Sequence, residues 1–216
     1  QTLLDKDRGI QWRATLALGK MGEPGVQILL QALEEDGAYT KQDLIAALAD
    51  LGEMRALESI VRALGSATKE VRWNAVIALG KLGDPSTIGP LAELLKDRDE
   101  NFRGNAAKAL GEIRDPSAVP ALLEALNDQE PSVRVFIAEA LSMIGDLKAV
   151  EPLIRLLNDG ASEVRKAAAT SLGSIGDPLA EGALKKAIND GDDEVRYAAE
   201  RALDVLARNK DESSSP

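Results

Sequence analysis

The side chains that perform most enzyme chemistry are missing from this chain of 216 residues, which has no His and no Cys. That removes the commonest general bases, the thiol nucleophile and the usual zinc ligands, and with them any disulfide framework. What remains for chemistry is carboxylate, amine, guanidinium and hydroxyl. Acids cluster at Asp97/Asp99/Glu100 and at Asp190/Asp192/Asp193/Glu194. Asp-x-Asp spacing hints at calcium, yet an EF-hand loop needs Gly at its sixth position and Glu at its twelfth. Counted from Asp97, those positions hold Phe102 and Lys108; counted from Asp190, they hold Val195 and Arg201. No metal site is therefore expected, because acids ahead of a helix already serve as caps and complement its dipole. Contact with a basic partner stays open. Gly80-Lys81 and Gly173-Ser174-Ile175-Gly176 lack the phosphate-loop pattern. No carboxylate pair stands apart from the others, so no catalytic residue and no cofactor is assigned, and the favoured expectation is a non-enzymatic protein.

The arginines are the next candidates, and they are periodic. Arg72, Arg103, Arg134, Arg165 and Arg196 follow one another at steps of 31 residues, as do Leu79, Leu110, Leu141, Leu172 and Leu203. The Asp that closes each unit keeps the same step, at Asp97, Asp128, Asp159 and Asp190. A fixed period in this range marks a stacked-repeat architecture. At about 100° per residue, Arg72 falls on the flank of the apolar face rather than opposite it. There its stem can cover apolar surface while its head reaches a carboxylate or carbonyl of an adjacent loop. An Arg–Asp ladder joining neighbouring units is the structural expectation; a basic strip for phosphate is the functional alternative.

The elements that must position these residues come from the same alignment. It gives seven first helices at roughly 9–21, 40–51, 70–82, 101–113, 132–144, 163–175 and 194–207. Six second helices lie between them at roughly 25–34, 56–65, 87–96, 118–127, 149–158 and 180–189. In the reference unit, Val71, Ala75, Ala78, Leu79 and Leu82 share one face of the first helix, and Ile88, Leu91, Leu94 and Leu95 share one face of the second. Gly83-Asp84-Pro85-Ser86 stops one helix and starts the next. Two units are eroded: Lys41 and Gln11 stand at the Arg position, and Gly65-Ser66-Ala67 replaces the closing Asp of the second. Leu3-Leu4-Asp5-Lys6-Asp7 matches the end of a second helix, so the first unit is expected to be incomplete and the chain a piece of a longer array. The array is expected over residues 1–207, with a disordered tail at 208–216.

Composition narrows the partner. With 44% hydrophobic residues but only 3% aromatic, the core must be built from Ala, Leu, Ile and Val. The formal charge of −10 and the lack of a basic tract argue against nucleic acid, whose binding needs Lys and Arg on phosphates. Basic or neutral partners fit better. No apolar run reaches the length of a membrane span, so no membrane insertion is expected, and the Cys-free composition fits the cytoplasm.

Ankyrin and tetratricopeptide signatures are missing. The unit Val133-Arg134…Ala140-Leu141…Ile144-Gly145-Asp146…Ala149-Val150-Glu151-Pro152-Leu153-Ile154…Leu157-Asn158-Asp159 instead resembles the short HEAT-like repeat named after the phycobilisome lyases. The resemblance covers essentially residues 1–207. It implies an all-α fold, a right-handed α-solenoid of stacked two-helix repeats, in which the first helix of each unit lines a concave groove. The family includes phycobilin lyase subunits, deoxyhypusine hydroxylase and many adaptors. The His-Glu pairs that hold a di-iron centre in deoxyhypusine hydroxylase have no counterpart in a chain without His.

Positions 70, 73, 77 and 81 of the reference unit, and their equivalents, point away from the apolar seam, where polar residues belong. Yet the 73-type positions read Trp12, Gln42, Trp73, Gly104, Val135, Lys166 and Tyr197, and the 77-type positions read Leu16, Ala46, Ile77, Lys108, Glu139, Thr170 and Arg201. Tyr39 takes a 70-type position and Met143 an 81-type one. Four of the six aromatics thus sit where the pattern expects solvent, while Phe102 and Phe136 read as ordinary packing residues. Exposed apolar groups mark interfaces, with Trp and Tyr as favoured anchors. The expectation is a protein or peptide partner in the groove, bound through Trp12, Leu16, Tyr39, Trp73 and Ile77. Val135, Lys166, Tyr197 and Arg201 would then set register. Packing of these side chains on neighbouring helices or on a preceding region is the alternative. A phycobilin-lyase-like, chromophore-handling subunit with a tetrapyrrole in the groove, and self-association, are the rival functions.

Overall fold

From the second repeat onward, the second helix opens in the same way because the same short polar signal recurs. Asp84 accepts a hydrogen bond from the Ser86 N–H at 2.8 Å, and Asp115, Asp146 and Asp177 treat the residue two places on alike. Glu53 does the same for the Arg55 N–H at 3.1 Å, so the eroded second unit keeps its cap with a longer acid. The Gly before the Asp ends the first helix in the left-handed conformation, as at Gly83 with φ 70°. In the fourth unit Arg114 takes that position with φ 58°, the one positive-φ residue other than Gly among the described residues.

The computed structural model describes residues 8–34 and 41–213, which hold thirteen α-helices and no strand. The first helices are α1 (Arg8–Lys20), α3 (Lys41–Asp50), α5 (Lys69–Leu82), α7 (Glu100–Ile113), α9 (Pro131–Ile144), α11 (Ser162–Ile175) and α13 (Asp193–Ser213). The second helices are α2 (Glu23–Glu34), α4 (Leu57–Ala63), α6 (Ile88–Glu93), α8 (Val119–Ala125), α10 (Val150–Leu156) and α12 (Glu181–Ala187). This is the order the repeat alignment gives. The second helices differ in one respect: from α4 onward, each begins as a separate 3-10 turn, such as Pro85–Thr87 or Pro116–Ala118. The acidic cap, followed by Pro at Pro85, Pro116 and Pro178, sets that tight first turn before the α-helix takes over.

The chain divides into two compact units, residues 1–90 and 91–216. In the first, α3 packs beside α5 over a core of Leu29, Leu44, Ile45, Leu48, Ile60 and Leu79. Its eroded repeats are laced by exposed ion pairs: Arg55 to Glu23 at 2.8 Å, Arg62 to Glu34 at 2.9 Å, and Lys81 to Asp50.

In the second unit α7, α9, α11 and α13 lie side by side, backed by α8, α10 and α12. Phe102, Leu110, Leu122, Ile137 and Leu141 are fully buried. Small residues set how closely the first helices approach. A Cβ on Gly111 would lie 2.7 Å from the Ala140 Cα, and one on Gly173 would lie 2.8 Å from the Ala202 Cα. Neither site has room for a side chain.

The last helix corrects one expectation. The tail assigned to 208–216 is helical through Ser213, and residues 214–216 lie outside the described ones. No Gly stops α13 after Leu203, Asn209 packs against Gly176, and Lys210 bonds to Glu181 of α12. That docking gives the extension a reason to stay helical.

Candidate functional site

The periodic arginines of the second unit are fully engaged. Arg103 Nε and Nη2 donate to the Asp128 carboxylate at 2.6 and 2.9 Å, while Nη1 donates to the Asp97 carbonyl at 2.9 Å. Arg134 repeats this with Asp159 at 2.9 and 2.8 Å and the Asp128 carbonyl at 2.6 Å. Arg165 does so with Asp190 at 2.8 and 2.7 Å and the Asp159 carbonyl at 3.0 Å. Each closing Asp also accepts the N–H two residues on, Asp128 from Glu130 and Asp159 from Ala161, both at 2.9 Å. The carboxylate partner thus belongs to the arginine's own repeat and the carbonyl to the repeat before it. One guanidinium ties a loop on each side. Arg196, in the last repeat, reaches the Asp190 carbonyl at 2.7 Å and turns to Asp193 on its own helix.

Burial alone pushes the Asp128 and Asp159 carboxyls up, but the guanidinium bonds and backbone N–H groups outweigh it and hold both below the usual Asp value. Asp190 is lowered chiefly by its bonds from Arg165. Arginines used in this way hold loops together and have no free edge for phosphate. Asp97 accepts the Asp99 N–H at 2.8 Å, and Arg72 is half-buried on α5.

The opposite character belongs to the outer face of the first helices. In the first unit Leu16 and Ile77 are 40% and 44% exposed. Trp12 and Trp73 are half-buried rather than open to solvent. Gln42 and Ala46 are half-buried. Tyr39 lies outside the described residues.

In the second unit this face holds two adjoining cavities. One, of about 500 Å³, lies between α9 and α11 and is lined by Val135, Glu139, Met143, Glu163, Lys166 and Thr170 among others. The other, of about 430 Å³, lies between α11 and α13, with Gly173 and Ala202 in its lining and Lys166, Thr170, Glu194, Tyr197, Arg201 and Val205 around them. Val135, Lys166, Tyr197 and Arg201 are thus brought to one continuous surface, where Tyr197 is 62% exposed. Lys166 Nζ donates to Glu194 at 2.9 Å across the α11–α13 gap.

The sequence reading missed three contributors. Glu139 and Glu163 line the first cavity, and only their place on the 77-type and 70-type rows could have singled them out. Phe136, expected to be an ordinary packing residue, is 36% exposed and covers Gly104. A Gly at a 73-type position leaves a notch, and the aromatic one repeat later fills it. Among the described residues, no group of His, Cys, Asp or Glu side chains is placed to hold a metal, and no helix is long and apolar enough to cross a membrane.

The family described as HEAT repeats matches this sequence over residues 26–100, 54–130, 88–163 and 119–204. The chain belongs to the HEAT-repeat family. The PBS lyase HEAT-like repeat matches at residues 10–35, in the first of the two units whose periodic Arg is lost. No curated protein matches this HEAT-repeat chain. Among solved structures it is similar to an engineered protein, at 24% identity and a TM-score of 0.61, covering 85% of this chain and 96% of that one. It is also similar to a designed armadillo repeat protein in complex with the peptide (KR)4, at 22% identity and a TM-score of 0.59, covering 90% and 98%. The complex of CpcE and CpcF of phycocyanin lyase from Nostoc sp. is similar at 23% identity and a TM-score of 0.56, covering 97% and 85%. At these identities the likeness concerns the fold.

Proposed function

We propose that this HEAT-repeat protein is a binding scaffold that holds a peptide or protein segment along the outer face of its first helices. The observation that carries the reading is the pair of adjoining cavities on α9, α11 and α13, with an exposed Tyr197 standing in the wall of one. An aromatic ring beside a floor of small residues supplies contact area at little conformational cost. Val135 and Met143 extend the apolar surface, and Lys166 and Arg201 set register. In the first unit Trp12, Leu16, Trp73 and Ile77 offer a second apolar surface of the same type. A designed repeat protein of similar fold takes a peptide, which supports this choice of occupant.

The test is selection from a phage-displayed library of random dodecapeptides on the whole chain, followed by titration of the enriched peptides against Tyr197→Ala and Val135→Ser. Both variants are expected to weaken binding by about tenfold, the loss of a well-placed anchor, while leaving the thermal midpoint unchanged. Peptides that bind both variants as tightly as wild type would contradict the reading. Titration with biliverdin serves as the control for the chromophore-handling alternative: an induced visible spectrum lost in Tyr197→Ala would transfer the face to a tetrapyrrole.

A further inference from the structure

The two cavities of the second unit differ in charge, and one side chain causes the difference. Lys166 lines both, but its ammonium is drawn to Glu194 on the α13 side. Glu139 and Glu163 are left in the α9–α11 cavity with no ion pair among the described residues. Lys108, on the same row one repeat earlier, pairs along its own helix with Glu112 at 3.9 Å. On the other side Lys166 and Glu194 neutralise each other, so the charge of Arg201, which has no ion pair among the described residues, remains. An acidic cavity therefore adjoins a basic one, each with an apolar wall: Val135 and Met143 in the first, Tyr197 and Val205 in the second.

Neighbouring packed helices stand about 8–10 Å apart, and an extended chain advances about 3.3 Å per residue. One repeat of the solenoid thus spans about three residues of an extended peptide. We propose that the second unit takes an extended segment of a partner protein bearing a Lys or Arg and an Asp or Glu about three residues apart, the cation over Glu139 and Glu163 and the carboxylate at Arg201. This rests on the first-helix face being a peptide site and adds the chemistry of the peptide. The exposed Tyr197, one turn before Arg201 on α13, takes an apolar side chain from a residue next to the carboxylate. A uniformly basic segment would satisfy the first cavity and be repelled at the second; a uniformly acidic one would fail in the reverse order.

The same library separates the outcomes. On the wild-type chain, enriched peptides are expected to carry a basic and an acidic residue at the stated spacing. Arg201→Glu should weaken those peptides roughly tenfold, as attraction turns to repulsion at a half-open site, and reselection on that variant should replace the acid with a base. Glu139→Lys/Glu163→Lys should replace the base with an acid. Glu194→Gln frees Lys166 to turn toward Glu139 and Glu163, and should lower affinity for the basic residue alone. Enriched peptides that need Tyr197 but show no charge pair, or do not respond to the reversals, overturn this inference and leave the peptide-binding reading in place. Peptides indifferent to Tyr197, or no enrichment at all, overturn both. A dimer in sedimentation that dissolves on Tyr197→Ala would show that a second copy takes the face instead of a peptide, and overturns the proposal.

Discussion

Replacing Asp159 by Ala removes the centre of one inter-repeat joint, and the structure sets the size of the loss. Asp159 accepts two bonds from Arg134, at 2.9 and 2.8 Å, and a third from the Ala161 N–H at 2.9 Å. The pair is largely buried, with side chains 15% and 12% exposed. Removing one partner of a fully buried ion pair costs about 3–5 kcal/mol, because the other charge is left behind. Residual exposure and the retained bond from Arg134 to the Asp128 carbonyl at 2.6 Å place the pair at the low end. The unpaired Ala161 N–H adds about 1 kcal/mol. The expected loss for Asp159→Ala is therefore about 4 kcal/mol. Asp159→Asn, which keeps an acceptor for the N–H but loses the charge, should lose about half of that. The double variant Arg134→Met/Asp159→Leu should recover most of it, since an apolar pair carries no stranded charge. Urea denaturation at pH 7 followed by far-ultraviolet circular dichroism measures all four proteins. Hydrogen exchange should place the weakening at the turn between α10 and α11. A loss below about 0.5 kcal/mol for Asp159→Ala, with no coupling in the double variant, would refute the view that the Arg–Asp joints hold the repeats together.

Four other outcomes follow from the same geometry. Because Asp128, Asp159 and Asp190 have folded pKa values below their unfolded ones, their stabilisation is complete above the ordinary Asp value of about 4 and is lost as the pH falls through the folded values. The urea midpoint should hold steady from pH 7 to 5 and decline below about pH 4; a decline already complete at pH 5 would contradict this. Arg114→Gly relieves the left-handed backbone at φ 58° and should stabilise by about 0.5–1 kcal/mol, read as a higher thermal midpoint. The Glu181 carboxyl is held at about 2 by Lys185 and Lys210; Lys210→Ala should move its carbon-13 titration upward, and an unchanged midpoint would mean the end of α13 is undocked. Phe102→Ala should lose about 3–5 kcal/mol, whereas Tyr197→Ala should lose less than about 0.5 kcal/mol, a contrast that calorimetry resolves.

The fold was legible because stacking repeats a demand. Most layers carry a Gly-Asp stop, an apolar seam and an Arg and Asp at fixed places, so Leu79, Asp84 and Asp97 recur and the helix order follows from them. Details that depend on neighbours in space were not legible. The wheel puts Trp12 and Trp73 on the wet side, yet both are half-buried, because it counts direction and not the neighbours around it. It places Phe136 beside the core and does not see that Gly104 leaves a notch for it. The period ends the last helix at the usual place, while Asn209 and Lys210 carry it further by docking on α12 and the turn before it. The arginine joint was read as a link between units, but which carboxylate each guanidinium holds required the fold. Position rows picked out Tyr197 and Arg201; the charge contrast of the two cavities arose only once Lys166 was seen to lean toward Glu194.

Backbone amide chemical-shift mapping on the isotopically labelled chain, with an enriched dodecapeptide as titrant, tests the central claim most directly. Perturbations should concentrate on the outward residues of α9, α11 and α13, with Val135, Thr170, Tyr197 and Arg201 among the largest, and should saturate together. Perturbations centred on α8, α10 and α12, with the first helices silent, would contradict it.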